Sequence, residues 1–225
     1  MRNVIGATIL LALFALIGTA LVAFTFDSTK ARIAQNERDA ILHSIHSIIP
    51  TSKYDNDIFT DTIDAPPSPL LGSSKPTTIY RARKDGRPVA VAFPTTAPDG
   101  YNGAIKLLVG IYYDGTLAGV RVISENETPG LGDQIELDRT HWILAFTGRS
   151  LHNPDSKGWA VKKDGGVFDQ FTGATITPRA VVKAVHKALI YFHEHRDKLF
   201  PKAAKRAKER EQETHEPAAK PADAH

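Results

Sequence analysis

The chain has 225 residues, 28 Lys+Arg against 25 Asp+Glu, a net charge of +3, no cysteine and a single methionine. So even a charge balance argues against a nucleic-acid surface, and the missing thiols exclude disulfides, thiolate nucleophiles, cysteine-held iron–sulfur clusters and thioether-linked haem. Apolar residues make up 42%, enough for a folded core, and any electron transfer requires an organic cofactor or a His/carboxylate metal site.

Val4 to Phe24 carries no charge. At about 1.5 Å per residue it reaches across a hydrocarbon layer of roughly 30 Å. A signal peptide has a shorter apolar region, about 7–15 residues, closed by a small-residue cleavage site. The following "AFTFDSTK" supplies none. Residues 1–25 are therefore expected as one uncleaved transmembrane anchor. Gly6, Ala7, Gly18 and Ala20 offer small surfaces for close helix contact. Arg2 precedes the run, whereas Lys30, Arg32 and Arg38 follow it among Asp27, Glu37 and Asp39. Charge alone leaves the orientation open, because long exported domains translocate largely regardless of it.

From Ser28 to Ile49 the apolar residues Ile33, Ile41, Leu42, Ile45 and Ile49 suit an amphipathic helix that Pro50 ends. Thr51 to Pro76, rich in Asp, Thr, Ser and Pro, reads as extended loop around small elements. Residues 26–76 are thus expected as helix and linker. "TTIYRAR" and "PVAVAF" then flank a hairpin turn at Asp85-Gly86, and "AIKLLVGIYY" and "LAGVRVI" flank another at Asp114-Gly115. Leu107, Val109, Ile111 and Tyr113 alternate as for a sheet with one buried face. "SENETPGLGDQIE" is a punctuated loop, and "GWAVKKDGGVFD" a short strand or turn. Pro178 to Phe200 has helical spacing through Val181, Val182, Val185, Ala188, Leu189 and Phe192. Beyond Pro201 large apolar residues almost vanish, so 201–225 is expected as a disordered tail. The fold class expected is α+β: an N-terminal transmembrane helix, then a domain at 77–200 with an antiparallel or mixed sheet packed by helices on one side.

The stretch before the last helix is "DQFTGATITPRAV". Pro178 suits the first helical position, which makes Thr177 the expected N-cap. Thr175 is then not needed as a cap. Gly173 permits a close or left-handed backbone and Ala174 adds little bulk. A hydroxyl shown beside a helix N-terminus favours a phosphate, either free or esterified to the threonine. A plain turn and cap is the other reading that local physics allows.

Asp169, Thr172, Gly173, Ala174 and Thr175 match D-x-x-S/T-G-A-T, and "ETPGLG" from Glu127 to Gly132 is a second signature. Together they resemble the FMN-binding domain family found in the G subunit of the Rnf ion-translocating electron transport complex. The C subunit of the sodium-translocating NADH:quinone reductase shares both. The resemblance runs roughly from Val4 to Phe200, and the chain length and "YDND" (Tyr54 to Asp57) are closer to the Rnf G subunit. It implies covalent FMN, attached by a flavin transferase through a phosphoester to Thr175. Asp169, Thr172, Gly173 and Ala174 would be read by the transferase and shape the turn. Gly130 and Gly132 would let backbone approach the ring or phosphate, with Glu127, Thr128 and Leu131 also binding cofactor. It further implies an electron-carrier subunit, without turnover of its own, in a bacterial inner-membrane translocase that couples ferredoxin/NAD electron transfer to ion transport. The domain would be periplasmic, and its partners would be the other membrane subunits.

Other groupings are weaker. His43 and His46 lack a third metal ligand, so no metal site is expected; His186, His193 and His195 read as solvated or packing residues. Glu125, Glu127, Asp133 and Glu136 share a loop, but nothing in their spacing sets a hydrolytic geometry. Trp142 and Trp159 read as core or interface residues. A cofactor-free, membrane-anchored envelope binding protein is the alternative of another class.

Overall fold

The computed structural model describes residues 2–201, so the tail expected at 201–225 lies, Pro201 apart, outside the described residues. It divides into two compact units, one up to His43 and one from Ser44 onward.

The first helix, α1, runs from Arg2 to Ile48. The apolar run and the amphipathic segment are therefore one helix. Its stretch Ile5–Lys30 is long and apolar enough to cross a membrane, and Leu11, Leu16, Val22 and Phe24 there stand exposed. Thr19, Thr25 and Ser28 return their hydroxyls to carbonyls four residues back, at 2.8, 2.8 and 2.7 Å. These side chains thus satisfy themselves within the helix, as a hydrocarbon surrounding requires.

In the second unit, β1 (Thr62–Ala65), β2 (Thr77–Lys84), β3 (Arg87–Gly100), β4 (Gly103–Tyr112) and β5 (Leu117–Ser124) form one sheet in sequence order. Every pairing is antiparallel. β1 lies inside the stretch read as helix and linker, and it pairs with β2 from Thr62↔Tyr80 to Ala65↔Thr77. The first hairpin turns at Asp85 and Gly86, with φ of 50° and 70°, the left-handed pair that matches strand twist. β3 continues past Phe93 through Pro94 and Pro98 to a turn at Tyr101-Asn102 that sequence reasoning missed. Proline argues against a central strand. Pro94 is tolerated because it lies past Tyr80↔Ala92, the end of the β2–β3 register, and faces Leu108 of β4.

One face of the sheet presents Ile79, Val91, Phe93, Ile105, Leu107, Val109 and Ile111 to the second helix, α2 (Ile176–Leu199), through Val181, Val185, Leu189 and Phe192. The opposite face is covered too, contrary to the one-sided arrangement expected. Ile45, Ile48 and Ile49 are buried, and Ile48 sits over the paired glycines Gly110 and Gly119. A Cβ built on Gly110 would stand 2.5 Å from Ile48 Cγ2. Gly110→Val is therefore expected to cost about 1–3 kcal/mol by overpacking. Urea unfolding of the full chain in detergent checks this; an unshifted midpoint would refute it.

Both helices end on arginines from the sheet. Arg121 Nη2 donates to the Ser47 carbonyl of α1, and Arg81 Nη1 to the Leu199 carbonyl of α2, each at 3.1 Å. Cations there satisfy carbonyls that have no partner within the helix.

Candidate functional site

The stretch "DQFTGATITPRAV" lies where a short turn feeds α2. Phe171 and Ala174 bridge each other, and Gly173 between them has φ of 80°. Only glycine adopts that backbone readily. The helix begins at Ile176, so Thr175 occupies the N-cap position, and its side chain makes no capping hydrogen bond. Thr175 is half-buried, while Thr172, Gly173 and Ile176 are exposed. Thr177 is not the cap that the sequence implied. It lies inside the first turn, with Pro178 after it. Proline is tolerated there because the first N–H groups of a helix have no partner within it.

Thr177 is 0% exposed, and its hydroxyl donates to Glu127 Oε2. The Glu127 carboxylate, on a residue 5% exposed, also accepts the backbone N–H groups of Tyr101 at 3.2 Å and Asn102 at 3.0 Å. Its own backbone N–H donates to Glu125. One carboxylate thus joins the "ETPGLG" loop, the β3–β4 turn and the start of α2. The Glu127 oxygens, expected to face the flavin, face protein donors in this arrangement.

Gly132 stands against this carboxylate. A Cβ there would meet Glu127 Cβ at 2.7 Å and Thr177 Oγ1 at 2.9 Å, so the glycine makes room for this clasp. The Thr128 carbonyl accepts from the N–H groups of Leu131 at 3.1 Å and Gly132 at 3.0 Å. Those amides close the loop on itself. Gly130 is different: its φ is 78° and nothing lies within 4 Å of a Cβ built on it. Leu131 is 40% exposed, and its Cδ2 is 3.7 Å from a Cβ built on Gly173. The two signatures, distant in sequence, meet at this contact. Thr128 is exposed beside it.

Asp169 is exposed and pairs with Lys162 at 2.6 Å. Its carbonyl accepts the Trp142 indole N–H at 2.8 Å. Trp142 packs edge-on against Phe146 and Phe171, with ring centroids 5.4 and 5.3 Å away. This tryptophan, expected as a core or interface residue, braces the turn before α2. Arg179, one turn into α2, makes a two-pronged contact with Asp164 at 2.5 Å, and this hydrogen bond holds the Asp164 carboxyl below its ordinary range. Burial, and then the charge of Glu125, pushes the Glu136 carboxyl up. With Glu125 and Glu127 engaged in the loop's own hydrogen bonds, the acids of this loop do not form a carboxylate pair across a cleft.

What converges is a hydroxyl without a capping bond at a helix N-terminus, the positive-φ glycines Gly130 and Gly173, and exposed Leu131 and Ile176 nearby. These features fit a phosphate-bearing planar group: the helix end favours the anion, and the apolar side chains suit a ring.

The FMN-binding domain family matches residues 100–190, and the RnfG N-terminal region matches residues 1–48. The G subunit of the ion-translocating oxidoreductase complex of Pseudomonas aeruginosa (strain UCBPP-PA14) is 50% identical over 198 residues, covering 88% of this chain and 92% of that protein. Its counterpart in Shewanella loihica is 47% identical over 203 residues, covering 90% and 96%. That of Vibrio cholerae serotype O1 (strain ATCC 39541) is 47% identical over 191 residues, covering 85% and 91%.

Proposed function

This chain belongs to the family of G subunits of ion-translocating oxidoreductase complexes, and we propose that it holds FMN covalently, as a phosphoester on Thr175. It is an FMN-binding electron-transport subunit of such a complex. The observation that carries the covalent reading is the Thr175 hydroxyl, placed at the N-cap yet making no capping bond.

FMN supplies the ring that takes up and gives back electrons; the protein supplies tether, orientation and electrostatics. Thr175 Oγ1 holds the phosphate beside the N-terminus of α2, whose dipole favours the anion. Gly173 and Gly130 keep bulk away from it, and Leu131, Ile176 and exposed Thr128 border it. Thr172, Ala174 and Asp169 shape the turn and are read by a flavin transferase. Attachment forms the Thr175 Oγ1–P bond and breaks the phosphoanhydride of a flavin dinucleotide. The nucleoside monophosphate leaves, the threonine proton passes to a base of the transferase, and no electrons are exchanged. A covalent tether suits a periplasmic domain, where a dissociated flavin would be lost. The assembly is then a translocase at the bacterial inner membrane, coupling ferredoxin/NAD electron transfer to ion transport. Its other subunits meet this chain at α1, and the isolated chain turns over no substrate.

Intact-mass measurement tests the tether. Full-length chain from a host with the transferase should carry the mass of one esterified FMN and stay yellow after denaturation. Colour lost on unfolding, with the unmodified mass, would limit the chain to dissociable flavin.

A further inference from the structure

We infer that Thr177 and Glu127 are positioning residues for flavin attachment: their buried hydrogen bond holds the first turn of α2 closed so that the Thr175 hydroxyl is presented to the transferase. The inference rests on the reading of Thr175 above, and neither residue carries the flavin.

The first turn of a helix frays unless a side chain caps it. The residue at the N-cap here makes no such bond, so closure must come from elsewhere. Thr177 is the first residue of α2 that is fully buried, and its hydroxyl donates to Glu127. Removing one partner of a buried hydrogen bond leaves the other unsatisfied, at the full cost of its desolvation. The same carboxylate is fixed from the other side by the N–H groups of Tyr101 and Asn102 at 3.2 and 3.0 Å. Its position therefore follows the β3–β4 turn. Gly132 and Gly100 show that the fit is close: a Cβ on Gly132 would be 3.0 Å from Glu127 Oε2, and one on Gly100 would be 2.9 Å from Oε1. Thr175 stands two residues before Thr177, within the same turn, so the direction of its hydroxyl is set by whether that turn is wound. Attack on phosphorus needs the oxygen in line with the leaving group, and a misplacement of about 1 Å can cost 10²-fold.

The test uses full-length chain, purified in detergent from a host lacking the transferase, mixed with purified transferase and flavin adenine dinucleotide. Covalent incorporation is followed by intact mass at several chain concentrations. Thr177→Val should lower kcat for attachment at least tenfold with KM for the chain unchanged. Thr177→Ser, which keeps the donor, should stay within twofold of wild type, and Glu127→Leu, which removes the acceptor, should fall as Thr177→Val does. The double variant should be no slower than either single one, because both remove the same bond. Wild-type kcat in Thr177→Val overturns the inference while leaving Thr175 as acceptor; so does a Thr177→Ser variant as slow as the valine. If Thr177→Val does not fold, Glu127→Leu decides in the same way. A wild-type chain that gains no flavin mass overturns the Thr175 reading itself.

Discussion

Thr175→Ala should contain no covalent flavin, against one FMN per wild-type chain. The ester needs an oxygen at that position, and neither neighbouring threonine replaces it. Thr177 is fully buried with its hydroxyl directed to Glu127. Thr172 is exposed, but it lies on the far side of the left-handed Gly173 from the helix N-terminus. The same variant gives an unusual stability result. Removing a capping threonine ordinarily costs about 1 kcal/mol. Here the N-cap side chain makes no capping bond, so the apo chain should melt at the wild-type temperature. Covalent FMN retained in Thr175→Ala, seen as fluorescence in a denaturing gel, would reject the assignment. A markedly lower melting temperature would reject the account of the cap.

Phe146→Ala should lose about 3–5 kcal/mol, as large-to-small changes of buried aromatic residues do. Phe146 is 0% exposed. Its ring centroid lies 4.6 Å from Phe168, 5.4 Å from Trp142 and 6.3 Å from Trp159. Truncation leaves a cavity among rings that cannot all collapse into it. The loss would be a large part of the roughly 5–15 kcal/mol that holds a typical domain together. It also reaches the site, because Trp142 braces the Asp169 carbonyl at 2.8 Å. Urea unfolding followed by tryptophan fluorescence reads the stability, and a loss below about 1 kcal/mol would show the packing to be slack. Flavin attachment to the folded fraction should slow as well, since the turn that presents Thr175 loses its brace.

The features legible in the sequence are local ones. The membrane-length run from Val4 to Phe24 is written in consecutive side chains, and α1 contains it. The turns at Asp85-Gly86 and Asp114-Gly115 are written in residues suited to tight turns, and hairpins form at both. The last helix follows its apolar spacing and differs from expectation at its first two residues. The pairing of "ETPGLG" with the acceptor motif came from resemblance and not from spacing.

Where sequence reasoning failed, the deciding partner was far along the chain. Local rules made Thr177 a cap, since a threonine before a proline is a good one. Glu127, held beside it by the β3–β4 turn, offers a carboxylate acceptor instead. The expected strand "PVAVAF" stops at Phe93, yet β3 runs on through Pro94 and Pro98 because β4 pairs with it as far as Ala97 and again at Gly100. The alternation in β4 showed one buried face, whereas Gly110 reveals the second only once Ile48 is placed on it. By itself the sequence determined the span, the hairpins and the glycine turn before the last helix, because turn chemistry, hydrophobic run length and short motifs act over a few neighbouring residues. Which hydroxyl faces outward, which carboxylate is enclosed and which glycines admit a neighbour's side chain were decided by the tertiary structure. Hydrogen bonds and packing depend on distance in space, and only the folded sheet brings Glu127, Tyr101 and Thr177 within reach of one another.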